Sequence, residues 1–157
     1  MDIFVFKLLL QIHTMASYDM SSGKSDLRDL VEGMTPVLNP GEYVFVCVSD
    51  LSKIDRADTV CEFREKEGVT VVLERQKADQ LGLSYNFVSG WITLQVHSSL
   101  EAVGLTAAFA TELAKHAISC NVIAGYFHDH IFVNHEQVCK AVEVLQQLSK
   151  KFAIDKQ

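Results

Sequence analysis

Residues 97–133 read HSSLEAVGLTAAFATELAKHAISCNVIAGYFHDHIFV. Ser98 and Glu101 match a capping box, in which a serine hydroxyl and a carboxylate three residues later satisfy the first free amides of a helix. The following residues are mostly Ala, Leu, Val and Phe as far as His116, with few charges. The stretch therefore predicts a largely buried helix from Ser98 to about His116, followed by β-rich sequence.

The β-rich sequence divides into two runs, 121–127 and 130–133, and the polar pair between them predicts a hairpin with Asp129 at its turn. Asn134 can cap a last helix, because apolar residues recur at helical spacing beyond it. Upstream, the run 87–96 predicts a long strand. The second half of the chain is thus predicted as strand, helix, strand, strand and helix.

The first half repeats this order in a shorter form. Residues 43–48 predict a buried strand, 60–73 a hairpin, and 76–81 a short helix closed by Gly82. A small helix stopped by Pro36 is expected before them. The connection between the first strand and the hairpin is shorter than in the second half, so it has room for one helical turn at most.

This internal repeat predicts an α+β fold of two βαββαβ modules, with antiparallel sheets that carry helices on one face. Strand 87–96 would close the first module and open the second. Only residues 152–154 remain for a last strand of the second module, so we expect that strand to be borrowed or absent. The expected organisation is a tail over 1–24, a first module over 25–90 and a second module over 91–157.

Composition narrows the classes of function. The chain has 157 residues, of which 48% are hydrophobic, and a net charge of −6, so it can bury a core and lacks the basic surplus of a nucleic-acid-binding surface. Its cysteines lie in apolar runs without metal-ligand spacing, which is typical of reduced thiols in a cytoplasmic protein. These cysteines are Cys47, Cys61, Cys120 and Cys139.

The first residues form an apolar run at 3–12, which is too short to cross a bilayer and has no signal-peptide cleavage pattern. We expect the natural start to be Met15 or Met20, with no membrane association. The alternative interpretation is an interfacial membrane anchor.

Three chemical sites have to be weighed. His97, His128 and His130 could bind a metal, but Asp129 is a turn former, so the two later histidines are expected to flank a hairpin tip and diverge. A cysteine–histidine pair such as Cys120 with His97, or Ser98 with His97, lacks any motif that would activate the nucleophile. The sequence therefore favours no catalytic site, no metal and no cofactor.

The run 97–108, the run 118–133 and the segment 34–45 together carry a resemblance to a known family. They resemble the ACT-domain family, and within it a bacterial branch of tandem ACT proteins without assigned function. That branch is related to the ACT modules of aspartate kinases and of eukaryotic arginine sensors. The resemblance implies a ferredoxin-like fold, regulatory binding of amino acids or similar carboxylates at a module or dimer interface, and pairing of sheets in a homodimer.

Family ligands contact the loop after the first strand and the backbone of the second strand, which correspond here to 97–104 and 121–125. The resemblance thus implies nine ligand-binding residues: His97, Ser98, Ser99, Leu100, Val103, Asn121, Val122, Ile123 and Asp129. The two serines stand at a predicted helix N-terminus, which favours a bound carboxylate. The alternative is that Ser98 only caps the helix.

The expected function is a non-catalytic regulatory protein that binds a small molecule, with an amino acid suspected, and forms a homodimer. The alternative is a structural interaction protein that homodimerises or docks on an enzyme or transporter without a ligand.

Overall fold

The computed structural model describes residues 23–154. Its helices are α1 (Leu27–Gly33), α2 (Arg75–Gln80), α3 (Leu105–Lys115) and α4 (Val138–Ile154), with short 3-10 helices at Arg56–Asp58 and His135–Gln137. Its strands are β1 (Thr35–Leu38), β2 (Tyr43–Val48), β3 (Thr59–Arg64), β4 (Val69–Glu74), β5 (Val88–Gln95), β6 (Cys120–Ala124) and β7 (Asp129–Asn134).

The predictions for residues 1–22, which include the alternative starts, the apolar run 3–12 and most of the expected tail, lie outside the described residues. Within the described part, no helix is both long enough and apolar enough to span a membrane.

The described strands form one seven-stranded antiparallel sheet in the order β3-β4-β2-β5-β7-β6, with β1 also on β5. Strand β5 is central because both of its edges are paired. Its start pairs with β2 through Ser89 opposite Tyr43, and the later part of the same edge pairs with β1 through Ile92 opposite Leu38. The other edge pairs with β7 along most of its length.

Two ferredoxin-like modules share this sheet, which confirms the α+β fold and the shared strand. Strands β2, β3 and β4 form the first module with β5 as its last strand, and β5, β6 and β7 open the second. The second module borrows its last strand from the N-terminal side, because β1 lies beside β5. The first helix of the first module is reduced to Arg56–Asp58, whereas its counterpart α3 has 11 residues.

The helices cover one face of the sheet. Ile92 and Leu94 of β5 point into a core that α1, α3 and α4 complete, and Val88 on the same face joins the core of the first module. The opposite face carries an aromatic cluster of Tyr43, Phe45, Trp91 and Phe132. We call this second face of the sheet the aromatic face.

Two local predictions were wrong. Residues 35–38 form β1 although Pro36 was expected only to stop a helix, because the edge of β5 is available to pair with them. The helix predicted from Ser98 begins at Leu105. Residues 152–154 continue α4 and form no strand, in line with the expectation that the last strand of the second module is borrowed or absent.

Candidate functional site

The loop between β5 and α3 differs from the predicted capping box. The helix begins at Leu105 because Gly104 adopts φ +104°, a left-handed conformation that favours glycine and turns the chain into the helix. Ser99 instead stabilises the loop: its carbonyl accepts from the Ala102 amide at 2.9 Å, and its hydroxyl accepts from the Glu101 amide at 3.2 Å. Ser98 is therefore not a helix cap, and no side chain in the described residues caps α3.

A short N-terminal segment is paired with this loop. The Lys24 amide donates to the His97 carbonyl at 2.9 Å, and the Ser99 amide donates to the Lys24 carbonyl at 2.9 Å. Gly23 packs so closely that an added Cβ would lie 2.5 Å from the Ser98 carbonyl carbon. The backbone of residues 23–24 therefore fixes the position of residues 97–99.

A small cavity of about 70 Å³ opens between this loop and the β6–β7 hairpin; we call it the polar cavity. It is lined by Ser98, Ser99, Leu100, Ala102, Leu105, Thr106, Ala124 and Asp129. Three hydroxyl groups and one carboxylate thus meet beside the N-terminus of α3, where free amides and the helix dipole favour a negative charge.

Asp129 is the unusual member of the polar cavity. The residue is 6% exposed, but its carboxylate oxygens are not fully buried, and it lines the polar cavity. Burial raises the pKa of this carboxyl group, although nearby His128 acts in the opposite direction. A carboxylate that is largely shielded from water and lines a cavity favours a cationic or hydrogen-bond-donating ligand there.

A second, more open cavity of about 320 Å³ adjoins the first; we call it the outer cavity. It is lined by Gly23, His97, Ser98, Ser99, Leu100, Glu101 and Tyr126. The two cavities share Ser98, Ser99 and Leu100 in their lining, so they are adjacent, and we call the pair the recess.

The structure brings together five of the nine residues that the sequence implied: His97, Ser98, Ser99, Leu100 and Asp129. The other four line neither cavity. Val103 is 84% exposed, Asn121 donates to the Phe132 carbonyl at 3.3 Å, Val122 packs against the helix-covered core, and Ile123 packs on the aromatic face.

Sequence reasoning missed seven residues that line the two cavities: Gly23, Glu101, Ala102, Leu105, Thr106, Ala124 and Tyr126. Tyr126 could have been noticed as an aromatic residue at a hairpin tip, a position where such side chains are commonly exposed. Gly23 carried no signal, because its contact with Ser98 joins residues far apart in the sequence.

Asp129 is the first residue of β7 and does not occupy the hairpin turn, which contradicts the expected position. The turn lies earlier, where the Gly125 amide donates to the His128 carbonyl. His130 accepts a hydrogen bond from the Trp91 indole through Nδ1, and the His97 ring packs against Phe127. Within residues 23–154, no group of three or more candidate ligands could hold a metal ion.

The described cysteines are all free. Burial raises the pKa of the Cys61 and Cys120 thiols, which is the opposite of the shift that activates a nucleophilic cysteine.

Comparison with known proteins supports the modular arrangement. Two family models of the ACT domain match the chain in tandem, at residues 22–90 and 86–147. No curated protein matches the chain.

Among solved structures, a Vibrio cholerae protein of unknown function, described as a possible transport protein, is 49% identical with a TM-score of 0.71. That alignment covers 78% of this chain and 95% of the other. An Agrobacterium tumefaciens protein is 15% identical with a TM-score of 0.58, over 74% and 89% of the two chains. The Clostridium acetobutylicum aspartate kinase, described as an allosteric enzyme, is 12% identical with a TM-score of 0.53, over 75% of this chain and 34% of the kinase.

Proposed function

Because the chain belongs to the ACT-domain family, whose modules are commonly regulatory and bind small molecules, we propose that this protein is a non-catalytic amino-acid sensor. The ligand occupies the polar cavity. The observation that carries this proposal is Asp129, a largely buried acidic residue that lines the cavity and whose carboxylate is not fully enclosed by the protein.

An amino acid suits this cavity because it carries both charges that the lining can satisfy. Its ammonium group can donate to the Asp129 carboxylate. Its carboxylate accepts from the hydroxyls of Ser98, Ser99 and Thr106 and from the first amides of α3, which no side chain caps. A carboxylate without an amine would not make this contact with Asp129 and is expected to bind more weakly.

We also propose that the protein does not catalyse a reaction. Its support is that the partly buried thiols have raised pKa values and that Nδ1 of His130 is occupied by Trp91. Neither type of group is thereby prepared for nucleophilic or general-base work. No cofactor is required for binding of this kind.

We also propose that the protein is a cytoplasmic homodimer. The support is that β3 and β6 end the described sheet, and an edge strand can pair with a second chain. Phe63 on β3 is half exposed, which favours a contact there. The same features would serve docking on an enzyme or transporter, which is the second candidate function.

A thermal-shift screen of the twenty amino acids tests the sensor. At a ligand concentration near 100 times the Kd, binding is expected to raise the Tm by about 5–10 °C. Asp129→Asn should abolish the shift, whereas Asp29→Asn, which removes an exposed carboxylate on α1 that lines neither cavity, should retain it. If the protein is folded and no amino acid raises its Tm, the proposed sensor function is contradicted and the docking function is favoured.

A further inference from the structure

We propose that the ligand is an amino acid with a large apolar side chain, branched or aromatic, and that this side chain occupies the outer cavity. The inference rests on the proposed function and specifies which amino acids the sensor accepts. It follows from the shape of the recess and from the side chains that line its outer part.

The two cavities differ in size, and each suits a different part of an amino acid. The polar cavity has about 70 Å³ and the charged and hydroxyl-bearing residues, so it suits the ammonium and carboxylate groups. The outer cavity has about 320 Å³ and adjoins it through Leu100 and the two serines. A side chain that leaves the polar cavity past these shared residues enters the outer cavity.

The outer cavity presents apolar surface to a side chain. Leu100 is 68% exposed and Tyr126 is 55% exposed, and both line it. Two large apolar side chains exposed beside one recess mark a surface that a ligand or partner covers, because covering them removes apolar area from water.

The Tyr126 ring is already held in place. It packs edge-on against Phe127 with ring centroids 4.9 Å apart, and Phe127 in turn packs against His97 at 5.2 Å. An apolar side chain can therefore contact a preformed wall without the cost of ordering it. Glu101 also lines this cavity, so a cationic side chain is the competing chemistry.

The test is calorimetric titration of the purified full-length chain with leucine, phenylalanine, alanine and lysine. Leucine or phenylalanine should bind at least about tenfold more tightly than alanine, the discrimination that a few methylene groups provide. Tyr126→Ser should weaken leucine binding by about tenfold and leave alanine binding nearly unchanged. Tyr126→Phe should bind leucine like the wild type.

Leu38→Ser is the matched control, since Leu38 is a large apolar residue on β1 that is 44% exposed and lines neither cavity. It should leave all four affinities unchanged.

Binding of no amino acid would overturn the proposed function itself. Alanine as tight as leucine, or lysine as the tightest ligand, would overturn only the side-chain inference. It would also be overturned if Tyr126→Ser changed the oligomeric state while leaving the leucine affinity unaltered.

Discussion

The indole N–H of Trp91 donates a hydrogen bond to Nδ1 of His130 at 3.0 Å. The Thr93 hydroxyl lies 3.1 Å from the same nitrogen, and Asn39 donates to the Thr93 hydroxyl at 2.9 Å. Because an indole nitrogen can only donate, Nδ1 must be the acceptor, and the proton of the neutral imidazole lies on Nε2. This network joins β5 to β7 on the aromatic face.

The first prediction concerns pH. Burial and nearby His128 lower the pKa of His130 below its ordinary 6.5. Below that value the unfolded chain takes up a proton that the folded chain resists, so the free energy of unfolding should fall as the pH drops from about 7 to about 5. Urea denaturation at several pH values should show a smaller fall for His130→Gln, whose amide can still accept from Trp91.

His116→Gln is the control for this experiment, because His116 is exposed at the end of α3. It should keep the pH dependence of the wild type. The raised pKa of Asp129 acts in the opposite direction and is common to all three proteins, so it cancels in the comparison. Equal pH dependence in His130→Gln and the wild type would contradict the prediction.

The second prediction concerns the contact between β5 and α4. A Cβ added at Gly90 would lie 2.6 Å from Cγ2 of Val138, a buried residue at the start of the helix. Gly90→Ala should therefore destabilise the protein by about 1–3 kcal/mol through overpacking. The double variant with Val138→Ala should recover part of this loss, as measured by urea denaturation. An additive double variant, with no recovery, would contradict the steric account.

The strands of the sheet differ in how far the sequence could predict them. Strand Tyr43–Val48 and the hairpin strands were predictable because each is a local run of β-forming residues. Strand β1 was not, because Pro36 and the turn after it are local breaker signals. The free edge of β5 overrides them, and that pairing is long-range.

The position of the cavity-lining residues was predictable in part for the same reason. Residues 97–100 lie between a strand and a helix that local sequence patterns indicate. The capping box at Ser98 failed because Gly104, with its positive φ, starts the helix later. The contact of Gly23 with Ser98 depends on tertiary packing, which no local pattern encodes.

The third prediction concerns residues 23–24. Gly23→Ala would place its Cβ 2.6 Å from the Ser99 amide nitrogen, so the pairing of this segment with the loop should be lost. The Ser99 amide, which donates to the Lys24 carbonyl, should then exchange with solvent about tenfold faster or more. Amide exchange followed by NMR measures this directly. Gly33→Ala is the control, because Gly33 has no left-handed φ and the nearest atom to an added Cβ is Cγ2 of Val96 at 4.0 Å; it should leave Ser99 protected.

The fourth prediction separates stability from binding at Asp129. Its pKa is raised by burial, so its charge costs stability at neutral pH. Asp129→Asn should raise the free energy of unfolding at pH 7, without ligand, by about 1 kcal/mol. As the pH falls toward the ordinary 3.8 of an aspartate, the wild type gains its proton in the folded state first, and the difference should shrink. A variant less stable than the wild type at pH 7 would show that Asp129 has a stabilising partner.

We propose above that an amino acid binds in the recess between the β5–α3 loop and the β6–β7 hairpin. The most direct measurement is an NMR titration of the ¹⁵N-labelled protein with leucine. The account predicts saturable shifts of the amides of Ser98, Ser99, Thr106 and Asp129, and their loss in Asp129→Asn. No shifts at millimolar concentrations of any of the twenty amino acids, or shifts confined to the aromatic face around Trp91, would contradict it.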